Sequence, residues 1–366
     1  MDITKFLQLM VDEEASDLFF STNASASMKV QGVIRPVSKQ KLNAEQLESI
    51  LENLVDEEKL QEFHDNLELN FAIAIEGVGR YRANAFRQRG DIALVIRHII
   101  TEIPRVEDMN LPVTLKDIVS HKNGLVMVVG ATGSGKSTSL AAMIGHRNTN
   151  IGGHILTIED PVEFIHSHKK AIVNQREVGL DTLSYENALK NAMREAPDVI
   201  LIGEVRDANT MEHALAYSDT GHLCLTTLHA SNAIQALDRI FNFFPKNEHK
   251  QLSEDLSRNL RAIIAQRLIP GKDGSRYPAV EIMINTPYIT ELLQQQKMEK
   301  LPEAMEQGKK YGMQTFDDVL YNMYKTGTIE LKTALEYADS YNNLQLKIRM
   351  SEGNAGGMDD LSDIQF

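Results

Sequence analysis

The chain has 366 residues and a formal net charge of -13. That length exceeds one ordinary core, so two domains are expected, and the apolar runs are too short to span a bilayer. The acidic balance argues against a general nucleic-acid-binding surface, and the single cysteine, Cys224, excludes an internal disulfide and a cysteine-based zinc site.

The opening stretch MDITKFLQLMVDEEASDLFF carries Asp2 and Asp12-Glu13-Glu14. A secretory signal would be basic and then continuously apolar, so a cytoplasmic location is expected. Residues 1–98 read as a small α+β domain. Ile3 to Val11 has helical spacing, and Asp17 to Ser21, Met28 to Gln31 and Val33 to Val37 are short strand candidates. Asn43 to Phe63 reads as one helix capped by Asn43, with Leu47, Ile50, Leu51 and Leu54 on one face. Three strand-like runs follow: Leu67 to Ile75, Arg80 to Phe86 and Ile92 to Ile96. Gly77 and Gly79 mark a turn between the first two. Residues 99–112 carry Pro104 and Pro112 and read as an interdomain linker.

Residues 113–350 alternate apolar strands with helices. The strands are Leu125 to Val129, Ile155 to Ile158, Val199 to Ile202 and Leu223 to Leu228. The alternation predicts a parallel sheet with helices on both faces. Leu256 to Leu268 and Thr315 to Tyr324 read as further helices. Residues 351–366 are Gly-rich and acidic and read as a disordered tail.

The first of those strands runs into Gly130-Ala131-Thr132-Gly133-Ser134-Gly135-Lys136-Ser137-Thr138, which satisfies the phosphate-loop pattern G-x-x-x-x-G-K-S/T. Glycines let several N–H groups face one point, and the following helix adds its own N–H groups and positive dipole end. Lys136 is a point charge for the β- and γ-phosphates, and Ser137 offers a hydroxyl to Mg²⁺. A chance Gly-rich turn is the bland alternative, but the strand before and the helix after supply the context that the motif requires. ATP and Mg²⁺ are the ligands expected.

Ligands of an open parallel sheet sit beyond the carboxyl ends of its strands. By that rule Glu204, after Val199 to Ile202, is the candidate for the Mg²⁺ shell, and Asp198, before the same strand, is not. His229 follows Leu223 to Leu228 and should face the γ-phosphate; His222 precedes that strand and should not. Glu159, Asp160 and Glu163 follow Ile155 to Ile158, and one of them is placed to polarise the attacking water. The residues themselves do not choose between Glu159 and Glu163. Singly, each is as easily a solvated group or a cap. Together, beside a phosphate loop, they point to catalysis.

Five segments carry a resemblance. GATGSGKST, ILTIEDPVEF, DVILIGEVRD, TGHLCLTTLHA and GRYRANAFRQRGDIALVIR, the first four in chain order, resemble the phosphate loop, aspartate box, second nucleotide motif, histidine box and arginine-bearing segment of the secretion ATPase superfamily. Over roughly residues 1–345 the chain is most similar to the type IV pilus retraction ATPases of the PilT/PilU family. Ala131 stands where PilT commonly has Pro, and PYITELLQQQKMEK stands where PilT carries AIRNLIRE; both departures, and the acidic tail, lie on the PilU side. The resemblance implies a RecA-like ATPase domain preceded by a PAS-like α+β domain, and a homohexameric ring. It implies ATP held between neighbouring subunits, Glu163 as the catalytic carboxylate and Glu204 as the Mg²⁺-associated one. The implied partners are the inner-membrane pilus platform protein and a paralogous retraction ATPase. Location would be cytoplasmic, peripheral to the inner membrane, with neither zinc nor nucleic acid involved. An accessory ring docked on a paralogous motor is the alternative; a DNA translocase would need a basic channel that this acidic chain does not suggest.

Arg80, Arg82, Arg87, Arg89 and Arg97 crowd one part of an acidic chain. In a strand Arg80 and Arg82 share a face, an arrangement that calls for an anion or a carboxylate. A soluble charged edge strand is the bland explanation. The family role would make Arg80, Arg82 and Arg97 reach nucleotide on the adjacent subunit.

Overall fold

Helix α1 (Ile3–Asp12) leads into β1 (Asp17–Ser21), β2 (Ser25–Val30) and β3 (Val33–Lys41). Helices α2 (Ala44–Glu52) and α3 (Glu57–Asn66) follow, then β4 (Glu68–Ile75), β5 (Gly79–Gln88) and β6 (Asp91–Ile99). The six strands pair antiparallel in the order β3-β2-β1-β6-β5-β4. Period-two alternation sets their faces: Tyr81, Ala83 and Ala85 of β5 are buried, while Arg80 and Arg82 lie on the other face. The buried face packs with Leu7, Phe20, Leu51, Phe63 and Phe71, each fully buried apolar side chain contributing about 1.5–3 kcal/mol. The Tyr81 hydroxyl donates to the Leu7 carbonyl at 2.9 Å and pins α1 to the sheet.

The computed structural model describes residues 3–30, 32–75, 77–99 and 102–352. The chain forms two compact units: Met1–Ile103 with Pro161–His166 and Gly179–Asp181, and Pro104–Asp160 with Ser167–Val178 and Thr182–Phe366. Within the stretch 99–112, read as linker, Val106 and Leu111 are buried in the second unit's core. The single helix expected over Asn43 to Phe63 is two. Asn53 ends α2, and the Asp56 side chain accepts the Lys59 N–H at 2.9 Å to start α3. Local polar caps outcompete helix continuation there.

The second unit contains α4 (Thr114–Val119), β7 (Gly124–Val129), α5 (Lys136–Asn150), β8 (Gly153–Glu159), β9 (Ala171–Glu177), α6 (Tyr185–Ala192), β10 (Val199–Ile202), α7 (Ala208–Asp219), β11 (Leu223–Leu228) and α8 (Ala233–Phe243). After them come α9 (His249–Asn259), β12 (Leu260–Pro270), β13 (Arg276–Ile284), α10 (Pro287–Gln294), α11 (Leu301–Gln307), α12 (Phe316–Lys325), α13 (Leu331–Glu336) and α14 (Tyr341–Glu352). Seven strands order as β13-β12-β7-β11-β10-β8-β9, parallel except for β13. Alternate β7 residues enter two cores, Leu125, Met127 and Val129 in one and Val126 and Val128 in the other. A sheet covered on both faces explains the uninterrupted apolar runs.

Leu256 to Leu268, read as helix, is corrected here: α9 stops at Asn259, and Leu260–Pro270 is a strand beside β7. Leu260, Ile263, Ile264 and Leu268 fit a helical period, yet long-range pairing on both edges decides the outcome. Strands β9 and β13 were not anticipated. Ser351 and Glu352 belong to α14, and the rest of the expected tail, 353–366, lies outside the described residues.

Candidate functional site

Strand β7 delivers the chain to Gly130 at the centre of the sheet. A Cβ on Gly130 would stand 2.6 Å from the Gln266 carbonyl oxygen, so only glycine fits there. Gly135, at φ +87, is the left-handed residue that turns the loop into α5. Lys136 Nζ donates to the carbonyls of Gly130 and Ala131, 2.9 Å each, and so lies across the loop. Ser134 Oγ is buried and makes no hydrogen bond. A loop with a buried hydroxyl lacking a partner, an ammonium across it and a helix N-terminus behind it fits an incoming phosphate.

The parallel register brings four strand ends, those of β7, β8, β10 and β11, to the same rim: Ile202 pairs with Ile158 and Thr226, and Thr226 with Met127. Beyond β10, Glu204 accepts from Arg206 Nε at 2.8 Å and lies 3.2 Å from His229 Nε2 beyond β11. Arg206 Nη1 is also 3.8 Å from Asp160 Oδ2. The Glu204 side chain is 17% exposed and Arg206 58%, so solvent screens the pair and its role is orientation more than stability. Thr227 Oγ1 donates to the Gly203 carbonyl at 2.5 Å, which ties the Glu204 loop to β11. The Tyr185 phenol stands against Gly203; burial, then the nearby Asp160 carboxylate, push its pKa up. Glu159 accepts from Thr157 Oγ1 at 2.7 Å and from Gln175.

At the opposite rim Asp198 accepts the His154 N–H at 2.8 Å, and His222 bonds Thr220 Oγ1 and the Tyr217 carbonyl. Strand direction thus sets Glu204 and His229 at one rim and Asp198 and His222 at the other. Glu163 is exposed and falls in the first unit, while Glu159, Asp160, Glu204 and His229 fall in the second. The arginines also belong to the first unit. There Arg82 faces Arg97 across β5 and β6, and Arg97 Nε donates to the buried Asp17 at 2.9 Å. Arg80 is exposed and Arg82 half-buried. Arg87 instead bonds the Gly90 carbonyl and covers the Phe63 ring, a structural use.

Gln266 and Arg267 were missed because they lie in the run misread as helix. Gln266 is buried; its Oε1 accepts from Ser139 Oγ at 2.7 Å, and its carbonyl packs on Gly130. A polar pair inside an otherwise apolar run was the available signal.

The profile of the type II/IV secretion system protein family matches residues 1–315. The chain belongs to that family. Among relatives, the type IV pilus ATPase PilU of Pseudomonas aeruginosa is 50% identical over 365 residues, 100% of this chain and 95% of PilU. The type IV pilus retraction ATPase PilT of the same organism is 39% identical over 338 residues, 92% of this chain and 98% of PilT. A crystal structure of the pilus retraction motor PilT with bound ADP superposes with a TM-score of 0.88 at 38% identity, covering 94% of this chain and 99% of that one. With a complete phosphate loop, this family member is a nucleotide-binding ATPase. No helix among its described residues is long and apolar enough to cross a membrane.

Proposed function

We propose that the chain is a homohexameric ATP-hydrolysing motor that powers or assists type IV pilus retraction. The observation that carries this reading is the Glu204–His229–Arg206 cluster beside a complete phosphate loop, in a chain half identical to PilU along its length. The motor acts in the cytoplasm, on the inner-membrane platform protein at the base of the pilus. ATP sits between the loop of one subunit and Arg80, Arg82 and Arg97 of its neighbour.

Residues of the chain divide the work. The N–H groups of Gly130 to Thr138 hold the phosphates, and Lys136 exchanges its two carbonyl partners for phosphate oxygens. Mg²⁺ would be held by Ser137 and Glu204, whose oxygen donors suit a hard cation, and it would neutralise charge developing on the phosphates. Arg206 and His229 keep the Glu204 carboxylate aimed, and Glu163 polarises the attacking water.

A second reading is an accessory ring on a paralogous retraction ATPase. It is favoured by α10, whose sequence PYITELLQ carries no arginine and starts on Pro287. Phosphate release by purified protein, and imaging of pilus dynamics after deletion of the gene alone and with its paralogue, test both. A motor hydrolyses ATP and its loss slows retraction. Negligible turnover, with a defect seen only beside an active paralogue, selects the accessory ring.

A further inference from the structure

Arg267 lies one residue beyond Gln266 on β12, and the two side chains leave opposite faces of the strand. Gln266 braces Ser139, at the start of the phosphate-loop helix. Arg267 turns to the other half of the site. Its Nη2 donates to the Ser231 carbonyl at 3.1 Å, two residues after His229. Nη1 donates to the Tyr337 carbonyl at 2.7 Å, and Nη2 also pairs with Asp339. Its guanidinium stacks 3.8 Å over the Phe316 ring. Asp339 closes the circuit by accepting from Asn232 Nδ2 at 3.2 Å, and Asn232 caps α8 through the Gln235 N–H.

We propose that Arg267 is a positioning residue for hydrolysis. It clamps the loop His229–Asn232 to the segment after α13, and the C-terminal helices thereby set where His229 meets Glu204. The proposal rests on the ATPase reading and names a control point within the same site. The chemistry suits the task. A guanidinium has five donors in a rigid fork and spans two carbonyls and a carboxylate at once; a lysine ammonium, a compact point charge, does not. The Arg267 side chain is 20% exposed and Asp339 31%, so the pair is less screened than a surface bridge. The clamp's bonds run to Ser231, Asn232, Tyr337 and Asp339, not into the phosphate loop, so nucleotide binding is separable from turnover.

The test compares full-length Arg267→Ala, Arg267→Lys and Asp339→Asn with wild type. Readouts are ATP turnover, affinity for a fluorescent ADP analogue, and hydrogen exchange of the 229–235 peptide. The expected result for Arg267→Ala is a roughly tenfold or greater loss in kcat with ADP affinity within about threefold. Arg267→Lys and Asp339→Asn should fall between. In a His229→Ala background the same Arg267→Ala change should cost under about threefold more, because both act through one group. Exchange of the 229–235 peptide should quicken while β7 stays protected. An equal kcat loss with and without His229, or unchanged exchange of that peptide, overturns the proposal. If Arg267→Ala does not fold, the surface-reachable Asp339→Asn carries the same measurements. Absence of turnover in wild type would defeat the ATPase reading instead, and the exchange arm would still decide the clamp.

Discussion

His229 Nε2 stands 3.2 Å from Glu204 Oε1, and the two come from the ends of neighbouring parallel strands. At that distance His229 Nε2 is placed to donate to the carboxylate oxygen when it carries a hydrogen. The pair, with Arg206 on the other carboxylate oxygen, fixes the rim that faces the phosphate loop.

Replacing Glu204 by Gln should lower turnover by roughly 10²-fold while ADP affinity changes little, because its proposed action is on metal and water rather than on the base or ribose. Steady-state phosphate release and fluorescent-ADP titration check this. Wild-type turnover in Glu204→Gln would remove Glu204 from the proposed metal role and send the search to Glu159 and Asp160 at the same rim.

Lys136→Ala should behave differently. In its proposed role the ammonium meets the phosphates in ground and transition states alike, so binding and turnover should fall together, with binding weakened by about 2–5 kcal/mol. Isothermal titration with ADP measures it. Retained affinity would mean that the ammonium stays on the Gly130 and Ala131 carbonyls when nucleotide is bound.

The proposed trans arrangement of the arginines is testable by mixing. Lys136→Ala and Arg82→Ala proteins, each inactive alone, should regain partial activity in mixed rings, since some interfaces then hold an intact loop and an intact arginine. Arg97→Ala should be the harsher single change, because it also removes the cation paired with the buried Asp17 and leaves Ser16 Oγ as its side-chain donor. Two dead proteins that stay dead in confirmed mixed rings would confine the arginines to their own subunit or to no role.

Stability should carry the mark of Glu281. Burial raises its pKa from 4.5 to about 7; Asp339 pushes the same way, while the Ala233 N–H, the Phe316 backbone and Arg267 oppose. The neighbouring Asp317 is also raised by burial. A raised carboxyl holds its proton longer in the folded state. Its stabilisation is full below about pH 4.5 and is lost as pH climbs through about 7. Glu281→Gln lacks that titration, so its stability relative to wild type should improve by of order 2 kcal/mol between about pH 5 and pH 8. Melting temperatures at the two pH values read this out, and a pH-independent difference would rule out the titration.

Gln266→Ala should cost about 1–3 kcal/mol by leaving Ser139 Oγ buried without an acceptor, and should loosen the phosphate loop. Chemical denaturation measures the first effect and ADP affinity the second. No change in either would reduce Gln266 to filler.

The phosphate loop, the four central parallel strands behind it and the rim on which Glu204 and His229 stand are legible in the residues alone. Those features are local: a glycine pattern, an apolar run and the direction of a strand suffice to sort Glu204 from Asp198 and His229 from His222. The tertiary structure decided what depends on distant pairing. Leu260–Pro270 fits a helix by its own spacing, and only β7 on one edge and β13 on the other make it a strand. That choice put Gln266 behind the phosphate loop and Arg267 behind His229. The same holds for Asp17, 80 residues from Arg97 along the chain, whose carboxylate meets that arginine only because β1 and β6 lie side by side. Periodicity encodes which face of an element is apolar, but the identity of the neighbour is set by the whole chain folding at once.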